Sequence, residues 1–490
     1  MNKLLCCLLA TLSTWSAAPA QTDNDPLVGS WHGALRVGVA KLEVALHVSR
    51  DGEGYRATFD SVTQGARGIP VGAVKREGAK VTATLPAIRA EYRATLLPAT
   101  KTSTARLEGT WTQGGRSLDL VLEPGEPPAK RRPQHPTGDV PYASEEVAFG
   151  HDPGLRLEES FRAGPGAPVT LAGTLTLPEG AGPHPVAVLI TGSGPQDRDE
   201  SLLGHKPFLV IADHLTRRGV AVLRCDDRGT AQSTGDFATA TSADFAADVR
   251  AALRYLKTRR DVDHARMGLI GHSEGGAVAP MVAAGPDKDL VRFVVLLAPP
   301  AVALGDVLTR QGELIGIAEG GDPAEVAQNV EMSRRAIEAV MESPDDAEAR
   351  AAALRAIAEE FLPELSEAAR EQVGGTADGI VKVLARVDTP WMRWLLHYDP
   401  APTLGAMRCD VLALFGGKDL QVDPAQNRPA LEAALQGRER PAKIVTLRGL
   451  NHLFQHSETG RPSEYGDLEE TFAPEALQVI HEWIAAAIAR

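Results

Sequence analysis

Two patterns of apolar residues divide the chain, and they differ in period. Between residues 31 and 122, apolar positions alternate with other residues in short runs such as KLEVALHV, and turn signals such as DGEG separate the runs. Alternation of period two is typical of strands that bury one face. Eight or so such strands predict a small antiparallel β-barrel or sandwich at residues 27–123.

The second pattern occupies residues 142–490, where continuous apolar runs alternate with helical segments. The runs are VTLAGTLTL, PVAVLI, GVAVLRC, MGLIG, FVVLLA and VLALF. Buried strands separated by crossover helices predict an α/β fold with a mostly parallel sheet. At about residues 301–400 helical periodicity rich in Ala and Glu replaces the strand pattern. An insertion there lies at the carboxyl edge of the strands, so we expect a helical cap over the ligand site.

Residues 124–141 separate the two patterns. They contain six prolines and the basic triplet KRR, a composition typical of a stiff, exposed linker without a packed element. We therefore place the domain boundary in this segment.

The first 20 residues have the three parts of a secretory signal. Lys3 precedes an apolar run that ends at Trp15, and Ala18-Pro19-Ala20 follows as an A-x-A cleavage site. The apolar run is shorter than the roughly 20 residues that a membrane-spanning helix needs. We expect cleavage after Ala20, export to the periplasm or the medium, and no stable membrane insertion.

Composition narrows the possible partners and cofactors. A length of 490 residues favours two domains, and the formal net charge of −13 argues against nucleic acid, which binds clustered Lys and Arg. His, Cys and carboxylate residues do not occur at the spacing of a metal site. Cleavage would leave Cys225 and Cys409, which fall at opposite edges of the predicted sheet, so we expect two free thiols.

The stretch MGLIGHSEGGAVAP places Ser273 between a predicted strand and a predicted helix. G-x-S-x-G alone is a weak signal, but strand, turn and helix around it are the pattern of a nucleophile elbow. Glycines beside the serine allow a sharp turn. Any larger residue at those positions would collide with the neighbouring strand and helix. Ser273 is therefore the candidate nucleophile.

A serine hydroxyl needs a base to remove its proton and an acid to orient that base. In a fold of this kind the chain order is serine, acid, histidine. Asp419 closely follows the run VLALF, and His452 lies in the loop after the next strand. Asp423 and His456 are the alternatives for acid and base. We interpret His272, beside the nucleophile, as a packing residue rather than a second base.

Attack on a carbonyl places negative charge on its oxygen, which preorganised N–H groups must stabilise. One donor is expected to be the amide of Glu274, directly after the nucleophile. The loop after PVAVLI contains Gly192, Ser193 and Gly194. We favour the amide of Ser193 as the second donor, with Gly194 as the alternative. No Lys-Ser or Lys-Thr follows this loop, as a phosphate-binding P-loop would require.

Two charged clusters near these loops are interpreted as structural. Asp226-Asp227-Arg228 follows the run AVLRC, and Asp197-Arg198-Asp199 follows the glycine loop. We expect ion pairs that fix both loops, and contact of Arg228 with substrate is the alternative.

Six stretches together resemble a known family. LITGSGPQDRDE, DDRG…STGDF, LIGHSEGG, WLLHYDP, GGKDLQV and LNHLFQ are similar to those of bacterial α/β-hydrolase esterases of the EstD type, which are related to serine aminopeptidases and prolyl oligopeptidase-like hydrolases. The resemblance covers residues 140–490. It implies an α/β-hydrolase fold, with Ser273, Asp419 and His452 as nucleophile, acid and base, and activity on short to medium acyl esters.

The sequence thus predicts an exported serine hydrolase that cleaves small-molecule carboxylic esters through an acyl-enzyme and needs no cofactor. A serine aminopeptidase or oligopeptidase-like peptidase with the same three residues is the alternative. It would need carboxylates to hold the substrate's ammonium group, and the predicted cap is rich in Glu. A hypothesis of another class assigns residues 27–123 to binding of glycan, lipid or envelope components.

Overall fold

The computed structural model describes residues 25–37, 40–52, 54–62, 66–101, 103–113, 116–127, 130–150 and 169–490. The chain forms two compact units, Met1–Pro128 and Ala129–Arg490. The division falls inside the segment that was predicted to be a linker. The secretory signal expected at residues 1–20 lies outside the described residues.

One antiparallel sheet forms the first unit. Its strands, within the described residues, are β1 (Gly29–Val37), β2 (Ala40–Asp51), β3 (Gly54–Ser61), β4 (Ala66–Pro70), β5 (Ala73–Glu77), β6 (Lys80–Leu85), β7 (Ala90–Leu97), β8 (Arg106–Gln113) and β9 (Arg116–Pro124). Their order across the sheet is β4-β3-β2-β1-β9-β8-β7-β6-β5. The first and last strands of the unit therefore pair with each other, at the centre of the order.

The sheet of the first unit curls on itself. Val71 and Gly72 join the edge strands β4 and β5, and their N–H groups donate to Ala57 of β3 (3.1 Å) and to Thr84 of β6 (2.8 Å). The rings of Phe59 in β3 and Trp111 in β8 stack with centroids 4.8 Å apart, although these strands lie on opposite arms of the sheet. The small antiparallel β domain that the sequence predicts is confirmed as a curled sheet with an apolar interior.

The second unit is built on another sheet. Its strands in the part of the chain that the structure describes are β10 (Tyr142–Gly150), β11 (Thr170–Pro178), β12 (His184–Ile190), β13 (Ala221–Cys225), β14 (Val262–His272), β15 (Phe293–Leu297), β16 (Asp410–Gly416) and β17 (Ala442–Leu447). Their order is β10-β11-β13-β12-β14-β15-β16-β17. The strands from β12 to β17 are parallel, whereas β11 is antiparallel to both of its neighbours. This order with β11 reversed is that of the α/β-hydrolase fold, as predicted.

Helices connect the parallel strands and cover the sheet. Over residues 169–490 they are Pro207–Thr216, Ser242–Leu256, Gly275–Ala283, Leu304–Ala318, Pro323–Glu342, Ala347–Phe361, Glu367–Gln372, Ala377–Leu384, Pro390–Leu396, Pro400–Ala406, Pro424–Ala434, Pro462–Tyr465 and Pro474–Ile488. The strands from β12 to β16 are mostly buried beneath them, apart from residues 263–266 near the start of β14. The continuous apolar runs of the sequence correspond to these doubly covered strands.

The helices between β15 and β16 form the cap, at the positions where helical periodicity replaces the strand pattern. The cap begins with the helix Leu304–Ala318 and ends with Pro400–Ala406. Its first and last helices contribute Val307 and Leu404 to the core around the sheet, and the helices between them form a second apolar core. The buried residues of this core are Met332, Ala336, Ile337, Val340, Leu354, Ile357, Ala358, Phe361, Leu365, Ile380, Leu384 and Leu396.

The second half of the predicted linker packs on the second unit. Arg132 donates to the carbonyl oxygens of Leu203 (3.0 Å) and Gly466 (3.1 Å). The side-chain amide of Gln134 donates to the carbonyl oxygen of Phe472 (2.6 Å). Proline-rich composition excludes regular helix and strand, but it does not exclude side-chain contacts. The expectation of an exposed, unpacked linker is therefore wrong for these residues.

Cys225 and Cys409 are free thiols within the described part of the chain, as the sequence predicts. Over the same residues no helix is long and apolar enough to cross a bilayer. Nor do three His, Cys, Asp or Glu side chains come together there as metal ligands.

Candidate active site

Ser273 occupies the turn between strand β14 and the helix Gly275–Ala283. Its φ of +53° lies in the left-handed region, where a non-glycine residue is strained. A Cβ atom at Gly271 would lie 2.0 Å from the carbonyl oxygen of Gly275, and one at Gly275 would lie 2.3 Å from that of Ile190. Only glycine fits at both positions, which is the steric cause that a nucleophile elbow requires.

Asp419 and His452 meet at the carboxyl edge of the sheet, after β16 and β17. Nδ1 of His452 lies 2.8 Å from Oδ2 of Asp419, and the two side chains are 5% and 0% exposed. The other carboxylate oxygen accepts the N–H groups of Gln421 (2.8 Å) and Val422 (2.9 Å). An ionised carboxylate held in this way keeps the proton of a neutral His452 on Nδ1 and leaves Nε2 as the basic nitrogen.

Asp423, the alternative acid, caps a helix and binds an arginine of the cap. Its Oδ1 accepts the N–H of Ala425 (2.9 Å) and so caps the helix Pro424–Ala434, while its Oδ2 accepts Nε of Arg310 in the cap (2.8 Å). The structure brings Asp419, and not Asp423, to the imidazole.

His456, the alternative base, lies on the outside of the same loop. Its side chain is 55% exposed and contacts Glu470 and Glu475 at 2.9 Å each. The loop is fixed from within by Asn451, whose Oδ1 accepts the N–H groups of Leu453 (3.0 Å) and Gln455 (2.9 Å). Asn451 is fully buried, and nothing in its sequence context marked it as part of this site.

The candidate oxyanion donors lie on two elements that face the same space. Ser193 follows β12 and Glu274 follows the nucleophile, and both line one cavity with Ser273 and His452. Among the described residues, the amide N–H groups of Ser193 and Glu274 have no acceptor in the chain. Both are therefore free to bind an oxygen of a ligand. Gly194, the alternative donor, is not among the residues that line this cavity.

Two residues that the sequence reading did not assign to the site connect its loops. Oε1 of Glu200 accepts the N–H of Gly192 (2.7 Å) and lies 2.9 Å from Nδ1 of His272. Nε2 of His272 lies 3.0 Å from the carbonyl oxygen of His452. His272 is thus more than a packing residue, which corrects the interpretation from the sequence. Its contact with Glu200 spans 72 positions of the chain, so no local pattern indicates it.

The charged clusters form most of the ion pairs that were expected. Arg198 binds Asp226 through two nitrogens, at 3.0 and 2.8 Å, and Asp199 pairs with Arg224. Arg228 binds Asp248 through two nitrogens, at 2.7 and 2.8 Å. The guanidinium of Arg228 is therefore engaged with helix Ser242–Leu256, and Arg228 does not line the cavity beside Ser273 in the described structure.

The cavity beside Ser273 has a volume of about 270 Å³ and is mainly apolar. Its apolar lining consists of Leu202, Ala277, Pro300, Val302, Leu304, Val307, Leu308, Trp391, Met392, Leu395, Tyr398, Pro400, Val422 and Leu453. Most of these residues belong to the cap or to the segment that leads into it. The sheet therefore supplies the polar floor of the cavity and the cap supplies its apolar walls.

Trp391 links the cap directly to the elbow. Its indole N–H donates to Oε1 of Glu274 (2.8 Å), which also accepts the hydroxyl of Ser242 (2.6 Å). Burial raises the pKa of Glu274, although these two donors and the Ser193 hydroxyl favour its ionised form. The side chain of Glu274 is thus tied to the cap by Trp391, and Glu274 also lines the cavity.

Comparison with known proteins agrees with this geometry. Residues 207–317 match the family described as Serine aminopeptidase, S33, a range that contains Ser273 and ends before Asp419 and His452. Over 298 residues the chain is 30% identical to Esterase EstD of Thermotoga maritima. The match covers 60% of this chain and 61% of Esterase EstD, so it spans about three fifths of that curated relative.

Solved structures are more distantly similar. Est1E from Butyrivibrio proteoclasticus, in a complex with ferulic acid, is 19% identical with a TM-score of 0.39, and the match covers 66% of this chain and 97% of that one. The Pyrococcus furiosus esterase Pf2001 is 13% identical with a TM-score of 0.39, covering 70% and 93%. The order of the strands, rather than these scores, identifies the fold.

The carboxyl group of Asp227 lies behind the glycine loop, where it accepts the hydroxyl of Thr191 (2.7 Å) and the N–H of Gln196 (2.9 Å). Burial raises its pKa to about 7, despite these donors, and the charges of Glu274 and Glu200 add to the rise. The folded chain therefore holds a proton that the unfolded chain releases above the ordinary value of 3.8. Raising the pH toward 7 must destabilise the fold through this group.

We expect Asp227→Asn to remove this pH-dependent loss, because an amide can accept from Gln196 and donate to Thr191 without any charge. Relative to the unmodified chain, the variant should gain about 2–3 kcal/mol of unfolding free energy between about pH 5 and about pH 8. Urea unfolding at the two pH values measures this gain, with the exposed Asp345→Asn as the matched control. An equal pH dependence in all three proteins would mean that Asp227 is ionised in the folded chain.

Proposed function

We propose that this chain is a serine carboxylesterase with Ser273 as nucleophile, His452 as base and Asp419 as the acid that orients it. The observation on which the proposal depends is the buried contact of 2.8 Å between His452 Nδ1 and Asp419 Oδ2, beside a cavity that His452 and the strained Ser273 share. The similarity to Esterase EstD supports the same reaction class.

In the proposed mechanism, Oγ of Ser273 attacks the ester carbonyl carbon while Nε2 of His452 takes the hydroxyl proton. The amides of Ser193 and Glu274 stabilise the negative oxygen of the tetrahedral intermediate. When the intermediate collapses, the bond to the alcohol breaks and the alcohol oxygen receives the proton from His452. Water then attacks the acyl-enzyme with His452 again as base, and the carboxylic acid leaves as Ser273 regains its proton.

The carboxylates in the cavity already make hydrogen bonds within the chain, and this favours an ester substrate over a peptide with a free amino terminus. An aminopeptidase needs an available carboxylate for the ammonium group of its substrate. The carboxylates that line this cavity are Glu200 and Glu274. Glu200 is engaged by Gly192 and His272, and Glu274 is engaged by Ser242 and Trp391. Apolar walls and occupied carboxylates suit a neutral acyl group.

We expect Ser273→Ala to lower kcat for ester hydrolysis by at least about 10⁴-fold, and Asp419→Asn by about 10³-fold or more, because an amide no longer holds the required tautomer of His452. The controls are Asp423→Asn and His456→Gln, which replace the nearest residues of the same types and should stay within about threefold of the unmodified chain. Steady-state kinetics with p-nitrophenyl butyrate and labelling by a fluorophosphonate measure both effects. Full activity in Ser273→Ala would refute the proposal.

The apolar cap should also select the acyl group. We expect kcat/KM to rise about tenfold from p-nitrophenyl acetate to the butyrate, since burial of each methylene contributes about 0.8 kcal/mol, and alanine and proline anilides to be cleaved at a small fraction of that rate. Leu308→Trp narrows the cavity and should impair octanoate most. Ile317→Trp is the control, because Ile317 lies on the same helix and is 47% exposed. Anilide cleavage as efficient as ester cleavage would favour a peptidase instead.

Export is a further part of the proposal, based on the signal-like residues 1–20. Expression of the full chain in a bacterial host and N-terminal sequencing of the protein from the periplasm or medium should give a chain that starts at Gln21. Recovery of the intact chain with Met1 from the cytoplasm alone would contradict export.

A further inference from the structure

One buried oxygen atom joins the glycine loop to the elbow. Oε1 of Glu200 accepts both the N–H of Gly192 (2.7 Å) and Nδ1 of His272 (2.9 Å). Gly192 directly precedes Ser193, the candidate oxyanion donor, and His272 directly precedes the nucleophile. The position of this one atom therefore affects the residues on both sides of the substrate carbonyl.

The second ring nitrogen of His272 extends the connection to the base. Nε2 lies 3.0 Å from the main-chain carbonyl oxygen of His452, and the centroids of the two imidazole rings are 4.8 Å apart. A continuous chain of hydrogen bonds thus runs from Gly192 through Glu200 and His272 to the backbone of His452. It reaches the main chain of the candidate base, whereas Asp419 contacts the ring at Nδ1.

Both nitrogens of His272 face oxygen atoms. The carbonyl oxygen of His452 can only accept, so Nε2 carries a proton, and a second proton on Nδ1 would donate to Oε1 of Glu200. Burial lowers the pKa of His272, but the charge of Glu200 and its hydrogen bond outweigh this, and the net shift is upward. The geometry and the electrostatics therefore agree on a buried imidazolium paired with a carboxylate.

On one side Glu200 and His272 line a small cleft whose other lining residues are apolar: Pro207, Phe208, Ile211, Leu297, Leu453 and Phe472. The other ionisable groups that face the ring are Asp419, whose charge raises its pKa, and His452 itself. The side chains of Glu200 and His272 are only 6% and 7% exposed.

Such a pair is costly to build. Burying two charges removes their hydration, and apolar residues of similar volume often give equal or greater stability. Glu200 also has a φ of +52°, a conformation that strains a non-glycine residue. A contribution to stability does not explain why the chain retains both the buried charges and the strained backbone at Glu200. A need to hold the reacting groups in place does explain it.

We propose that Glu200 and His272 are a charged positioning pair that sets the distance between the oxyanion loop and the backbone of His452. The inference rests on the proposed function, since it assigns the positioned groups their roles. A displacement of about 1 Å in such groups is enough to cost about 100-fold in rate. Glu200 and His272 line the cavity, but neither takes part in proton transfer in this scheme, and the pair acts through Gly192 and His452.

The test uses Glu200→Gln, His272→Gln and the double variant in the full mature chain. In Glu200→Gln the amide oxygen can still accept from Gly192, but the negative charge that favours protons on both ring nitrogens of His272 is lost. We expect each single variant to lower kcat for p-nitrophenyl butyrate by about 10-fold or more, with KM within about twofold, per active site titrated with a fluorophosphonate. Because the two residues act as a unit, the double variant should be no slower than the slower single variant.

His456→Gln and Glu470→Gln are the matched controls. They disrupt another His–Glu contact of 2.9 Å on the His452 loop, and kcat should stay within about threefold of that of the unmodified chain. A kcat per titrated site that is unchanged in Glu200→Gln and His272→Gln would overturn the positioning role, even if their melting temperatures fall. Full activity in Ser273→Ala would instead overturn the proposed function and this inference with it. Inactive Ser273→Ala with unimpaired Glu200→Gln would overturn the inference alone.

A measurement on the unmodified chain keeps the inference testable if the variants do not fold. With ¹⁵N-labelled histidine at about pH 8, where ordinary exposed imidazoles are neutral, one buried ring should have protons on both nitrogens. That signal should persist after the active site is labelled with a fluorophosphonate. If every imidazole has only one protonated nitrogen at this pH, the charged pair does not exist.

Discussion

The site depends on a close approach of backbone segments at the elbow. The turn at Ser273 brings Gly271 and Gly275 so near to one another that a single methyl group would overlap a carbonyl oxygen. The same approach seats Gly275 against the end of β12, so the amide beside the nucleophile and the glycine loop after β12 are placed by one contact. A parallel sheet makes this possible, because its strands end together at one edge.

That regularity explains what the sequence could reveal. Asp419 and His452 were identified because each follows a strand in the required order, and the structure brings them together. Asp423 and His456 lie only four positions further along, but they have other partners. Asp423 caps a helix and binds Arg310, and His456 contacts Glu470 and Glu475. A chain order and a strand end were sufficient to choose between them.

Contacts between distant segments could not be predicted in this way. Glu200 and His272 lie 72 positions apart, and Glu274 and Trp391 lie 117 apart. No periodicity, spacing or motif in the sequence indicates either pair, because only the tertiary fold brings the partners together. The prediction of an unpacked linker was wrong for a related reason. The composition of residues 124–141 indicates their backbone conformation, but it does not indicate that Arg132 donates to carbonyl groups of distant residues.

The cap has a core that is distinct from the core of the sheet. Substitutions that repack its helices can therefore accumulate without altering the strands that position Ser273, Asp419 and His452. The indole of Trp391 is a point of direct attachment to the elbow. A lineage of such chains can thus explore new substrate preferences by drift in the cap while the reaction chemistry is inherited unchanged, as long as an indole or an equivalent donor is retained at this position.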